Sequence, residues 1–140
     1  MATNKKFLLS GLVVVAIIII STVIAVGLSE NPKKNTTIHY LVADDAGSTV
    51  SVRKGEMVNL TLQDYGDGGY TWSITSLDEQ ILALSQQMNW GSSGLPGDYG
   101  KDTWLFTASN TGTTTLTLEC KQPWAGGETS QTVTFTVEVI

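Results

Sequence analysis

The sequence predicts an antiparallel β-sandwich of seven or eight short strands, preceded by an N-terminal transmembrane or signal helix. Three observations predict it. Runs of alternating apolar and polar residues recur at a spacing of roughly ten residues. Turn residues separate those runs, and helix signals between them are few. Ahead of them, Lys5 and Lys6 precede an almost unbroken apolar run from Phe7 to Leu28, 22 residues in all.

That run is close to the roughly 20 residues needed to cross a bilayer as a helix. A cleaved secretory signal usually has a shorter apolar region, of about 7–15 residues. Ala25-Val26-Gly27 offers a small-residue cleavage site, and no cysteine directly follows the run for attachment of lipid through a thiol. The reading favoured is an uncleaved signal anchor with its positive end inside. Residues 1–30 then form the anchor or signal, 31–36 a linker and 37–140 an exported sandwich domain. The domain faces outside on a membrane, or is secreted if the segment is cleaved.

Composition narrows what such a domain does. Beyond Asn31 there are six lysines and arginines against twelve acids, and no basic run, which argues against a nucleic-acid partner. About 110 residues suffice for one domain with one modest core. Cys120 is the only cysteine, so the domain has no internal disulfide and relies on packing.

In order, Ile38, Tyr40 and Val42 alternate with Thr37, His39 and Leu41, and Asp44-Asp45-Ala46-Gly47 is turn chemistry. Val50 and Val52 give a second strand, broken by Lys54-Gly55-Glu56, and Val58, Leu60 and Leu62 a third. A glycine-rich loop follows, and Tyr70, Trp72 and Ile74 begin the next strand on one face. Leu77 to Leu84 fits either a helical turn or a strand. Met88 to Gly100 reads as a second long loop, ending at the strand through Trp104 and Phe106. Leu116, Leu118 and Cys120 mark a strand after Asn110-Thr111-Gly112; Lys121 to Glu128 is a third loop, and Val133, Phe135, Val137 and Val139 close the chain.

Catalysis finds little support. Cys120 shares a strand face with Leu116 and Leu118 and is expected to be a buried, inert thiol, while His39 is expected to face water. No metal set is legible, because Asp64 and Asp67 lack the spacing and terminal glutamate of a calcium loop. No cofactor motif occurs either. Asn35-Thr36-Thr37 and Asn59-Leu60-Thr61 fit the glycosylation acceptor pattern.

The unusual feature is that each glycine-rich loop carries or borders large aromatics: Tyr65, Tyr70 and Trp72; then Trp90, Tyr99 and Trp104; then Trp124. The loops of a sandwich gather at its two ends, so several can converge on one surface. Aromatic anchors of this kind serve protein interfaces, and the same rings stack on sugars. Composition leaves both partners open.

In order and spacing the three loops resemble those of the chagasin-type inhibitors of papain-like cysteine proteases. That family carries Asn-Pro-Thr-Thr-Gly-(aromatic)-x-Trp, then a Gly-x-Gly-Gly-type loop, then Arg-Pro-Trp-x-Gly. The first is similar to Tyr65-Gly66-Asp67-Gly68-Gly69-Tyr70-Thr71-Trp72, the second to Gly97-Asp98-Tyr99-Gly100, and the third to Gln122-Pro123-Trp124-Ala125-Gly126. The approach to the first loop, Val52 to Leu62, also resembles the family's Val-x-x-Gly-Glu-x-Val-x-Leu-x-Leu. Two departures stand out: Asn-Pro-Thr-Thr is replaced by Tyr65-Gly66-Asp67-Gly68, and the arginine by Gln122.

The resemblance implies an immunoglobulin-like sandwich acting as a monomeric, reversible, tight-binding inhibitor rather than an enzyme, with a papain-like cysteine protease as partner. Tyr65, Gly66, Asp67, Gly68, Gly69, Tyr70 and Trp72 would enter the active-site cleft. Gly97, Asp98, Tyr99 and Gly100 would straddle one wall; Gln122, Pro123, Trp124, Ala125 and Gly126 would straddle the other. Both departures predict weaker or differently targeted inhibition. The alternative reading is an extracytoplasmic module that binds glycan or another envelope protein through the same exposed aromatics, tested by substituting Trp90 or Tyr99.

Overall fold

The alternating runs become eight strands: β1 (Ile38–Val42), β2 (Thr49–Val52), β3 (Met57–Asp64), β4 (Thr71–Ser76), β5 (Leu82–Trp90), β6 (Gly100–Ala108), β7 (Gly112–Lys121) and β8 (Thr129–Val139). The computed structural model describes residues 35–65 and 67–140. The apolar run Phe7–Leu28 and most of the 31–36 linker lie outside the described residues. Among the described residues no helix is long and apolar enough to cross a membrane.

Two four-stranded sheets form, in the orders β1-β3-β6-β5 and β2-β8-β7-β4. Their inner faces meet in one core. Val58, Leu60 and Leu62 of β3 are at most 1% exposed, and Trp104, Phe106, Leu116, Leu118, Phe135 and Val137 are buried with them. Each such side chain contributes about 1.5–3 kcal/mol by leaving water. Cys120, 2% exposed, belongs to this core, as its place beside Leu118 predicts.

Three sequence expectations are revised. The sandwich is not wholly antiparallel, because β1 pairs with β3, and β2 with β8, in parallel. The chain crosses to the other sheet after β1 and returns after β2, so β1 and β3 run the same way. Alternation reports which face is buried and carries nothing about strand direction. Second, β1 turns its other face inward: Leu41 is buried while Tyr40 is 72% exposed. Both faces of β1 carry apolar residues, so period two does not discriminate, and a one-residue change reverses every side chain. The observed register half-buries His39 and sets its Nε2 2.8 Å from Glu56 Oε2, rather than leaving the ring in water. Third, the second loop is shorter than Met88 to Gly100, since β5 runs on to Trp90 and Gly100 already pairs with Asp64 as the first residue of β6.

The ambiguous segment before β5 is a turn. Asp78 Oδ1 accepts the Gln80 N–H at 2.9 Å, and the Asp78 carbonyl accepts the Leu82 N–H at 2.9 Å, which delivers the chain to β5.

Candidate functional site

Strand registers decide where the loops go. The end of β3 pairs with the start of β6 (Asp64 with Gly100), and Trp90 pairs with Lys101, so loop 1 (65–70) and loop 2 (91–99) emerge side by side. Thr71 pairs with Lys121, which sets loop 3 (122–128) beside loop 1 on the other sheet. All three stand at one pole. Asn35 enters at the opposite pole, because β1 runs parallel to β3 with Ile38 opposite Met57.

Loop 1 is held from both sides. Toward loop 2, the Tyr65 and Tyr99 rings lie 5.2 Å apart at a tilt of 57°, a separation at which aromatic pairs attract. Toward loop 3, Gln122 Nε2 donates to the Gly68 carbonyl at 3.0 Å. The Trp124 indole rests on Gly69, where a Cβ would come within 2.6 Å of a ring carbon. Gly68 and Gly69 both have positive φ, 71° and 76°, a region other residues enter at a cost. Beneath the loop, Trp72 is buried and its Nε1 donates to the Gln63 carbonyl at 2.9 Å. The backbone of Asp67 lies in the short turn Asp67–Gly69; Gly66 is outside the described residues.

Loop 2 is tied by Asp98, whose Oδ2 accepts the Ser93 N–H at 2.9 Å. Hydrogen bonds from the Ser93 side chain and backbone hold the Asp98 carboxyl below the usual carboxylate range, and Lys101 adds to this. Gly97 takes a positive φ of 83°. Gly100 is buried in β6, where an added Cβ would lie 2.8 Å from the Trp90 carbonyl oxygen. In loop 3 the Trp124 carbonyl accepts the Gly127 N–H at 3.0 Å, and Gln122 Oε1 accepts the Glu128 N–H at 3.2 Å. Pro123, Trp124, Ala125 and Gly126 are all exposed.

The described residues of the expected set stand at this pole except Trp72 and Gly100, which are buried below it in β4 and β6, where they support the loops and present no surface to a partner. Sequence reasoning passed over three features of the pole. Leu95 projects from loop 2 at 68% exposure. Below loops 1 and 2, the Asn89 amide donates to Asp102 Oδ1 at 2.7 Å and to Asp64 Oδ2 at 3.2 Å. Burial pushes the Asp102 carboxyl above the usual carboxylate range; the Asn89 hydrogen bond opposes this and the Asp64 charge adds to it. Finally, the β1–β2 connection also reaches this pole, since Val42 pairs with Thr61 near the end of β3. Among the described residues no group of three or more His, Cys, Asp or Glu side chains is placed to hold a metal ion.

The model of the Chagasin family peptidase inhibitor I42 matches residues 51–139. The chain belongs to the chagasin family. It is an inhibitor-family protein, not an enzyme. Among similar proteins, Amoebiasin-1 of Entamoeba histolytica is 26% identical over 99 residues, 71% of this chain and 97% of its own. The crystal structure of the cysteine protease inhibitor EhICP2 from Entamoeba histolytica shares the fold with a TM-score of 0.68 at 22% identity, covering 76% of this chain and 98% of that one. PbICP-C, in its complex with falcipain-2, shares it with a TM-score of 0.51 at 15% identity, covering 75% and 91%.

Proposed function

We propose that this chagasin-family chain inhibits papain-like cysteine proteases reversibly, by wedging the loop pole into the active-site cleft. The observation that carries the reading is the convergence of loops 1, 2 and 3 on one pole, with Trp124 seated on Gly69. Loop 1 is the central element. Gly68 and Gly69 have no side chains, so its backbone can pass close to a catalytic thiolate. Loops 2 and 3 flank it, and exposed Tyr99 and Trp124 supply rigid aromatic contacts for the cleft walls. The chain needs no chemistry of its own, and its cross-braced loops keep the ordering cost of binding small. The relatives support a cysteine protease as partner: EhICP2 is a cysteine protease inhibitor, and PbICP-C is in complex with falcipain-2.

The same proposal has the domain exported as a monomer and tethered through its apolar N-terminal run. Asn35, the first described residue, stands at the pole away from the loops.

The test is a titration of the full chain, kept in non-ionic detergent, against active papain and a small panel of relatives with a fluorogenic peptide substrate. Activity should fall and recover on dilution, with the inhibitor uncleaved. Trp124→Ala should weaken inhibition by about 30-fold or more, the loss that accompanies truncation of an interface anchor. No inhibition of any panel member, or a Trp124→Ala variant as potent as the parent, would overturn the proposal.

A further inference from the structure

Four connections, rather than three, reach the loop pole. The fourth, between β1 and β2, opens with the short helical turn Ala43–Asp45, pinned where Asp45 Oδ2 accepts the Val42 N–H at 2.9 Å. Between this turn and loop 2 lies an open groove of about 450 Å³. Its lining includes apolar Val42 and Tyr99, acidic Asp44 and Asp98, and Gln63 and Lys101.

The chemistry of this lining is selective. Lys101 balances one of the two carboxylates and leaves the groove with a net negative charge. Asp98 is engaged with Ser93 inside loop 2, whereas Asp44 is exposed on the rim. An apolar stretch beside a carboxylate suits an amphipathic cation, which lays its methylene stem on Val42 and the Tyr99 ring and keeps its charged head at the rim. The Tyr99 ring also attracts cations at its face. An anionic group meets the net negative charge, and a purely apolar group leaves Asp44 without a partner.

We infer that this groove is a fourth contact of the inhibitory pole, taking a lysine or arginine side chain from the rim of the target protease's cleft, with Asp44 as the specificity-determining carboxylate. The inference rests on the inhibitory reading above. This chain thereby selects proteases with a basic rim on the side of loop 2. The groove is open, so the ion pair stays partly solvated. An exposed pair of this kind is worth up to about fivefold in affinity, and reversing one charge about tenfold.

Inhibition constants of the full chain and of Asp44→Asn and Asp44→Lys are to be measured against the panel at low and at physiological ionic strength. For the protease bound most tightly, Asp44→Asn should weaken inhibition about three- to fivefold and Asp44→Lys about tenfold. Both penalties should shrink as salt rises. Lys101→Ala removes the competing cation and should change inhibition in the opposite direction, tightening it about twofold. Penalties below twofold for every inhibited protease, or penalties indifferent to salt, would overturn the fourth contact while leaving the three-loop wedge intact. A parent chain that inhibits none of the panel would instead remove the inhibitory reading, and the groove's role with it.

Discussion

Gly69→Ala tests the seat between loops 1 and 3. The new methyl group would lie 2.6 and 2.7 Å from two carbons of the Trp124 ring, whereas carbon atoms pack at about 3.5–4.0 Å. The indole must therefore withdraw by about 1 Å. It can do so, because Trp124 is 52% exposed and solvent lies beyond it. The backbone is strained as well: φ at Gly69 is +76°, which costs a residue with a Cβ about 1–2 kcal/mol. Gly47→Ala supplies the control, since its φ is +84° with nothing within 4 Å of the added atom and it lies outside the three loops. Both variants should lose about 5 °C in thermal midpoint, from a cost near 1 kcal/mol in a domain of this size. Only Gly69→Ala should also lose inhibition, by about 30-fold, because only it displaces the anchor.

A Cβ at Gly69 has a second route to the same loss, by striking the protease directly, and a double-mutant cycle separates the two. If the effect runs through the indole, Gly69→Ala adds little in a Trp124→Ala background. A further full loss there would refute the seat and assign the effect to the cleft. Equal inhibition constants for Gly69→Ala and Gly47→Ala would show that the anchor is not displaced at all.

Trp72→Phe keeps the buried ring but removes the donor to the Gln63 carbonyl, and should cost about 1–3 kcal/mol in chemical denaturation. Asp102→Asn should stabilise the fold at neutral pH. The folded Asp102 carboxyl titrates above the ordinary carboxylate range, so the native state binds the proton more tightly than the unfolded chain, and stability falls as pH rises through that window. The gap between variant and parent midpoints should widen from about pH 4 to pH 7; a constant gap would contradict this. Gln122→Glu sets a carboxylate oxygen against the Gly68 carbonyl, and should speed amide exchange in loop 1 and weaken inhibition severalfold. Cys120 should react with thiol reagents at the rate of global unfolding, and rapid labelling of the native chain would contradict its burial.

The core was legible in the sequence because period two identifies a buried face wherever the other face is polar. Val58-Asn59-Leu60-Thr61-Leu62 is such a case, and so is Leu116-Thr117-Leu118-Glu119-Cys120. In β1, Ile38, Tyr40 and Val42 compete with Leu41, and only tertiary contacts choose between them. Strand direction was illegible for a related reason, since a hydrophobic pattern is unchanged when a strand is reversed. The loops were recognisable from glycine and aromatic residues, but their neighbours were not. Nothing local to Asp44-Asp45 shows that this turn stands beside Tyr99, and only the parallel β1–β3 pairing carries it to that pole. Asn89, Asp64 and Asp102 likewise read as unrelated polar residues until the registers of β3, β5 and β6 align them.

The two departures from the family pattern take on a joint meaning in the structure. Replacing Asn-Pro-Thr-Thr by Tyr65-Gly66-Asp67-Gly68 gives loop 1 more freedom in isolation, and ordering each such residue costs about 1 kcal/mol. Loop 3 supplies restraints that the segment itself lacks. Gln122 donates to the Gly68 carbonyl and accepts the Glu128 N–H with its other terminal atom. Arginine has donors only, so it has nothing with which to accept the Glu128 N–H. An amide at this position does both tasks at once, bracing loop 1 and closing the base of loop 3. Trp124 then covers Gly69, a contact that requires the absence of a Cβ. The glycines of loop 1 and the glutamine of loop 3 are therefore matched to each other, and loop order in this chain is a property of the pair.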